Sequence, residues 1–366
     1  MRSFYYFLRR FGMVILGLVF FGSGMLKLMD PVGTTLIVDQ YLGFLNLRAL
    51  WAADRVIATA IAAGESLLGA MLLSGVWRKA AGIITGVVLI AFTILTARLV
   101  AKNPEWSCGC FGEALHLTHI QSLSKNIILC LLAIFVFVPA GGFYRFHKHK
   151  IVAFALGAAV IALFGVYSQL GMPLIDFTVY APGAHLLDPA HGYEDTSRCP
   201  HLAITDSSDD YAGDLLMEGK SLTVSLYKPD KLKDKDWEFV TGAVSTALNA
   251  GVRPLVLVPV ACELPDDLGE YMYRADYKDI LTLNRSNGGL TYICDGEIVR
   301  KWARGHAGPL SEASQAGALS EVHGSGRSLS EALAGNPAPV RVRAVSAGRV
   351  RFEGLCLSTL ALLLLI

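Results

Sequence analysis

Five stretches of the chain are almost free of charge: residues 11–29, 56–77, 80–100, 127–143 and 151–170. A helix needs about 20 apolar residues to cross the hydrocarbon core of a bilayer, with a range of roughly 17 to 25. Each stretch therefore predicts a membrane span, the fourth being the shortest. From about residue 176 the pattern becomes that of a water-soluble domain. Residues 221–227 and 253–260 read as strands, and residues 236–249 as a helix closed by Gly251. Residues 289–302 read as a hairpin turning on Asp295 and Gly296. Residues 304–351 are rich in Ala, Gly, Ser and Arg and hold no aromatic residue, and about 12 apolar residues follow them. That is too short to span. The stretch 304–366 reads as a low-complexity tail, disordered or out of frame.

Charge placement predicts the orientation. Arg2, Arg9 and Arg10 precede the first span, Arg78 and Lys79 lie between the second and third, and Arg145, Lys148 and Lys150 lie between the fourth and fifth. The alternate segments, 30–55 and 101–126, carry Asp30, Asp39, Asp54, Glu105 and Glu113 among few basic residues. Basic loops stay in the cytoplasm. The expectation is a multi-pass protein of the inner (plasma) membrane with a cytoplasmic N-terminus and residues 176–366 extracytoplasmic. The first apolar run is long for a signal peptide and lacks a small-residue cleavage site, so it is read as a span.

Composition agrees with this picture: 53% of the residues are hydrophobic and 17% charged, against roughly a quarter charged in an ordinary soluble domain. The net charge of +1 gives no support to nucleic-acid binding. The lipid bilayer is the partner the pattern demands. Seven cysteines occur and no two are spaced as CxxC, so neither a zinc knuckle nor a disulfide framework is indicated.

The candidate chemistry lies in the loop after the third span. Cys108 and Cys110 flank Gly109 on the side expected to face an oxidising compartment. Two cysteines so close can close a small, readily reduced ring, and glycine tolerates the backbone this requires. The same spacing suits a soft metal such as Cu(I) or a plain surface disulfide, and spacing alone leaves all three readings open. Glu65 sits inside the second span, where a carboxylate is costly. It is a possible intramembrane polar site, as a proton relay, a cofactor anchor or a hydrogen-bonded bridge between helices. Lys27 and Asp30, at the end of the first span, read as an interfacial ion pair. Cys130 reads as an apolar filler. Cys199, Cys262 and Cys294 are three, and their pairing does not follow from the sequence.

These residues carry a resemblance. The segments GLVFFGSGMLKLMDP over residues 17–31, ESLLG over 65–69 and SCGCFG over 107–112 resemble the MauE/DoxX group of redox-associated membrane proteins. RSNGGL at 285–290 together with Lys301 and Trp302 is similar to the extracytoplasmic domain of five-span DoxX-like proteins of the Bacteroidetes type. The resemblance implies a four-helix transmembrane unit over residues 1–143, then a basic turn and fifth span over 144–175. An extracytoplasmic α/β domain with a degenerate thioredoxin-like fold follows over 176–303. It also implies thiol–disulfide exchange through Cys108 and Cys110, with exported protein thiols or a membrane electron carrier as partners and a quinone as the cofactor to consider. Two departures stand out. No CxxC follows the first strand of the α/β domain, and Gly288 occupies the place where a thioredoxin-like fold usually carries a cis-proline. The alternative is a non-enzymatic scaffold or assembly factor that binds partners through its outer domain, or a soft-metal-handling membrane protein.

Overall fold

A computed structural model describes residues 2–104, 106, 108–138, 148–170, 173–186, 200–259, 266–305, 329, 333 and 337–365. The chain divides into two compact units, residues 1–170 with 353–366, and residues 171–352.

The first unit is helical. Its elements are α1 (Arg2–Met29), α2 (Pro31–Phe44), a 3-10 turn (Arg48–Ala53), α3 (Asp54–Ser74), α4 (Arg78–Lys102), a short strand β1 (Cys110–Glu113), α5 (His119–Phe137) and α6 (Lys148–Leu170). Five segments are long and apolar enough to cross a membrane: Phe4–Met29, Asp54–Ser74, Arg78–Lys102, His119–Phe137 and Lys148–Gln169. The sequence expectation holds in number and order, but the fourth helix starts earlier than residue 127. Thr118 accepts from the Gln121 amide at 3.3 Å and Gln121 Oε1 accepts from the Thr118 amide at 3.0 Å, a capping box that satisfies amides at the helix start. Residues 139–143, assigned to that span from sequence, lie outside the described residues.

Helices α1 and α3 pack backbone to backbone. A Cβ on Gly24 would stand 2.3 Å from Ser66 Oγ, and one on Gly69 would stand 2.3 Å from the Phe21 nitrogen. Small residues permit this approach, and close packing holds helices together where lipid removes the hydrophobic drive. At one end of the bundle the basic side chains cap helix C-termini. Arg9 Nε donates to Val136 O at 2.9 Å, Arg10 Nη2 to Leu73 O at 2.5 Å, and Arg78 Nη2 to Val136 O at 3.3 Å. Cations are favoured at these carbonyl ends. The basic residues in the first turns of α1 and at the start of α4 thus share one end of the bundle.

The second unit holds α7 (Asp214–Met217), β2 (Lys220–Ser225), α8 (Asp234–Asn249), β3 (Arg253–Pro259), β4 (Met272–Ala275), α9 (Tyr277–Leu283), β5 (Gly289–Cys294) and β6 (Glu297–Trp302). They build a five-stranded sheet of order β4-β3-β2-β5-β6. β2, β3 and β4 run parallel, while β5 is antiparallel to both β2 and β6. Both faces are covered, which is why β3 reads as a continuous apolar run. Val256 and Val258 pack with Val240, Ala243 and Ala247 of α8, whereas Leu255 and Leu257 face Leu216, Ile280 and Leu283. The predicted strands, helix and hairpin are present. β4, α9 and α7 were not anticipated.

The tail needs a correction. Leu329 and Leu333 are buried in the sheet unit's core, and α10 (Pro337–Leu365) is a 29-residue helix with Leu363 against Gly157 of α6. The sheet unit's core therefore takes in residues beyond 303.

Candidate functional site

The sequence after α4 turns back towards α1. The Asn103 backbone, with φ of +41°, ends α4, and the chain then passes through Gly109, with φ of +59°. A Cβ at Gly109 would stand 2.6 Å from Ile37 of α2, so both the backbone angle and the space call for glycine. This turn brings Cys108 and Cys110 onto the same side, their sulfurs 3.2 Å apart and hydrogen-bonded.

The two thiols differ. Cys108 is 1% exposed, the Tyr41 hydroxyl donates to its carbonyl, and Tyr41 Oη lies 3.4 Å from its sulfur. Cys110 is half-buried and opens β1. The Cys108 thiol donating to Cys110 lowers the latter's pKa to about 5; burial opposes this, and the ammonium groups of Lys125 and Lys27 assist it. The same hydrogen bond and burial push Cys108 upward. Ser122, fully buried, makes no hydrogen bond of ordinary geometry yet favours the anion on both sulfurs.

Below the pair lies a polar cluster among membrane helices. Lys27 Nζ donates to both Glu65 oxygens at 2.7 Å and to Ser23 Oγ at 3.2 Å. Ser23 Oγ lies 2.6 Å from Glu65 Oε2 and 2.7 Å from the carbonyl of Cys110, so its single proton serves two acceptors. The Lys27–Asp30 pair expected from sequence is replaced: Lys27 pairs with Glu65, and Asp30 caps α2 by accepting from Gly33 N at 2.9 Å. The physical reason is helix geometry. Asp30 precedes Pro31, where a new helix begins, and its carboxylate goes to the unsatisfied amides there.

A cavity of about 230 Å³ adjoins these groups. Its wall is mostly apolar, from residues such as Val19, Ile57, Ile61, Leu89 and Phe92, with Lys27, Tyr41, Glu65, Cys108, Cys110, Lys125 and Asn126 also lining it. Trp106 stands edge-on to Tyr41, their ring centroids 5.1 Å apart, and 6.3 Å from the ring of His119. The structure therefore gathers Cys108, Cys110, Glu65 and Lys27 at one place. Sequence reasoning missed Ser23, Tyr41, Ser122, Lys125 and Asn126. Ser122, Lys125 and Asn126 are spaced three and four apart in α5, a helical signal obscured by starting the fourth span at residue 127.

The sheet unit has no comparable cluster among its described residues. Where β2 ends, Lys228 N donates to Asn287 Oδ1 at 3.0 Å and Asn287 Nδ2 donates to Lys228 O at 2.7 Å. Among the described residues no cysteine stands there. Cys294 lies beside Asp295, its thiol pushed up by burial and that carboxylate. Cys199 and Cys262 lie outside the described residues. Among the described residues no group of three or more His, Cys, Asp or Glu could hold a metal ion.

Five apolar helices and a thiol pair beside an intramembrane ion pair describe a multi-pass membrane protein. Residues 6–139 match the family model described as methylamine utilisation protein MauE, and together with the apolar helices this supports a MauE-type membrane protein. The match suggests a redox-related or methylamine utilisation process. It ends before α6, so the sheet unit lies outside it. No curated protein and no solved structure matches the chain.

Proposed function

We propose that the protein is an inner-membrane thiol–disulfide component that accepts electrons from exported protein thiols through Cys108 and Cys110 and passes them to a carrier in the bilayer. The observation that carries this reading is the hydrogen-bonded sulfur pair, 3.2 Å apart, at the wall of an apolar cavity among membrane helices. A pair meant only to brace a loop needs neither a cavity nor buried cations beside it. The basic residues in the first turns of α1 and at the start of α4 meet at one end of the bundle, which supports a cytoplasmic N-terminus and an extracytoplasmic thiol loop.

A quinone ring is the ligand we assign to the cavity on the chemistry of its lining. Apolar side chains would enclose it, and Lys125 and Asn126 supply donors of the kind a carbonyl oxygen accepts. A quinone, when bound, takes up two electrons and two protons as the two thiols become a disulfide. The chain's own groups hold Cys110 by its carbonyl, place cations near its sulfur, and cover Cys108 with Tyr41. For the sheet unit, the order β3-β2-β5-β6, with a helix crossing between β2 and β3, supports the thioredoxin-like reading. Asn287 holds the backbone of Lys228 after β2, and no CxxC pair follows that strand in the sequence; in this reading the sheet unit docks partners and the membrane half carries the chemistry. That division also fits the DoxX-like resemblance.

The test is a strain carrying Cys108→Ser and Cys110→Ser together. The variant is expected to insert at normal level and to leave exported thiols unoxidised. Full function in the double variant would remove the redox reading and favour the scaffold in its place.

A further inference from the structure

The two cysteines occupy different surroundings, and the difference assigns their order of action. Cys108 is closed off: 1% of it is exposed, and Tyr41 touches both its carbonyl and its sulfur. Both sulfurs line the cavity with Lys27 and Lys125, but Cys110 is half-buried and the more open of the two. Lys125 lies 4.8 Å from the ring centre of Phe111, the neighbour of Cys110, and Lys27 is fixed by Glu65 and Ser23. The groups facing Cys110 are Ser23 and Lys27 from α1, Tyr41 from α2, Glu65 from α3, and Ser122, Lys125 and Asn126 from α5.

We propose that Cys110 is the cysteine that joins the partner sulfur, that Cys108 acts second, and that Lys125, more than Lys27, is the positioning residue that holds Cys110 as a thiolate. This rests on the redox reading above. Glu65 offsets the charge of Lys27 at 2.7 Å, which leaves Lys125 the stronger influence on the sulfur. The Cys108 hydrogen bond is the first cause of the lowered pKa of Cys110, and Lys125 lowers it further, ahead of Lys27.

The exchange balances as follows. A thiolate of the exported protein attacks Cys110 Sγ in the oxidised pair; the Cys108–Cys110 bond breaks, and Cys108 leaves and takes a proton. The partner's second thiol loses its proton and attacks its own first sulfur, and Cys110 departs as the thiolate. The partner is oxidised to a disulfide and the pair is reduced. Of the partner's two protons, one resides on Cys108 and one enters solvent. A stabilised Cys110 thiolate speeds that last step, because lower-pKa thiols leave faster.

The test uses the reduced, full-length protein in detergent, labelled with limiting iodoacetamide and mapped by peptide mass. Cys110 is expected to react before Cys108, by about tenfold at neutral pH. Lys125→Met should move the midpoint of Cys110 labelling up by roughly one pH unit, about a tenfold loss of thiolate on the acid side, and Lys125→Arg should restore it. In cells, Cys108→Ser should accumulate a mixed disulfide formed when the Cys110 thiolate attacks a disulfide of the exported partner and releases one partner thiolate, the reverse of the second step, and Cys110→Ser should not. Preferential labelling of Cys108, an unmoved pH profile in Lys125→Met, or a mixed disulfide trapped on Cys108 would overturn the assignment. Labelling needs no partner protein, so its failure is separate from failure of the redox reading, which the double serine variant tests.

Discussion

The two units bury polar groups to different ends. In the sheet unit several of those groups close on one another or on backbone. Lys301 donates to Asp176 at 2.6 Å, and the buried Asn284 donates to Leu290 O at 2.9 Å and Trp302 O at 3.2 Å. Such bonds stitch β5 and β6 to the loop before them and serve the fold. In the helical unit one set of buried polar groups converges on the space beside Cys108 and Cys110. Lys27, Glu65 and Ser23 are at most 7% exposed, yet they line the cavity. A buried ion pair seldom adds net stability, since desolvation cancels much of the attraction. Its presence among membrane helices is better understood from what it faces.

That contrast can be broken by substitution. The largest effect is expected at Glu65. Glu65→Leu leaves the Lys27 ammonium buried without its carboxylate, at a cost of about 3–5 kcal/mol, seen as lower protein level and a lower melting temperature in detergent. Glu65→Gln keeps an acceptor for Lys27 and should retain most of the level. If it also retains thiol turnover, Glu65 is a helix bridge; if turnover falls while the level holds, Glu65 moves protons. Equal tolerance of Leu and Gln would contradict the account of the cluster.

A smaller effect is expected at Asp176. Burial alone would raise its carboxyl, but the Lys301 ammonium and the donors of Thr178 hold it below the ordinary carboxylate range. The charged form therefore stabilises the sheet unit above the unfolded value, near pH 4, and this contribution is lost as pH falls through the folded value. Asp176→Asn should cost about 2 kcal/mol at neutral pH and flatten the acid side of the stability profile. Thermal melts of the full chain between pH 7 and pH 3 would show it. An unchanged acid slope would mean that the pair does not serve the fold as argued.

The spans were legible because crossing a bilayer demands a long apolar run, and little else in a sequence looks like one. The Cys108–Gly109–Cys110 turn was legible because its spacing is local. The partner of Lys27 was not. Asp30 is three residues away and Glu65 is 38 away, and only the close approach of α1 and α3 makes the distant one the neighbour. Tyr41 escaped notice because the segment after Pro31 was taken as loop. Asp30 with Pro31 is an N-cap followed by proline at the first helical position, a signal that was present in the sequence. Lys125 was hidden by an error of eight residues in one helix start. The sheet unit's far boundary was lost to averaging, since Leu329 and Leu333 lie in a stretch whose composition resembles a linker.

The central claim is that Cys108 and Cys110 cycle between dithiol and disulfide in the membrane. The most direct measurement is to quench growing cells with acid, label free thiols with a mass-shifting maleimide, and read the state of the pair in the full-length protein. Both states should be present, with the dithiol fraction rising when the terminal oxidant is withdrawn and falling when it is restored. A pair held in one state under every condition would contradict the account.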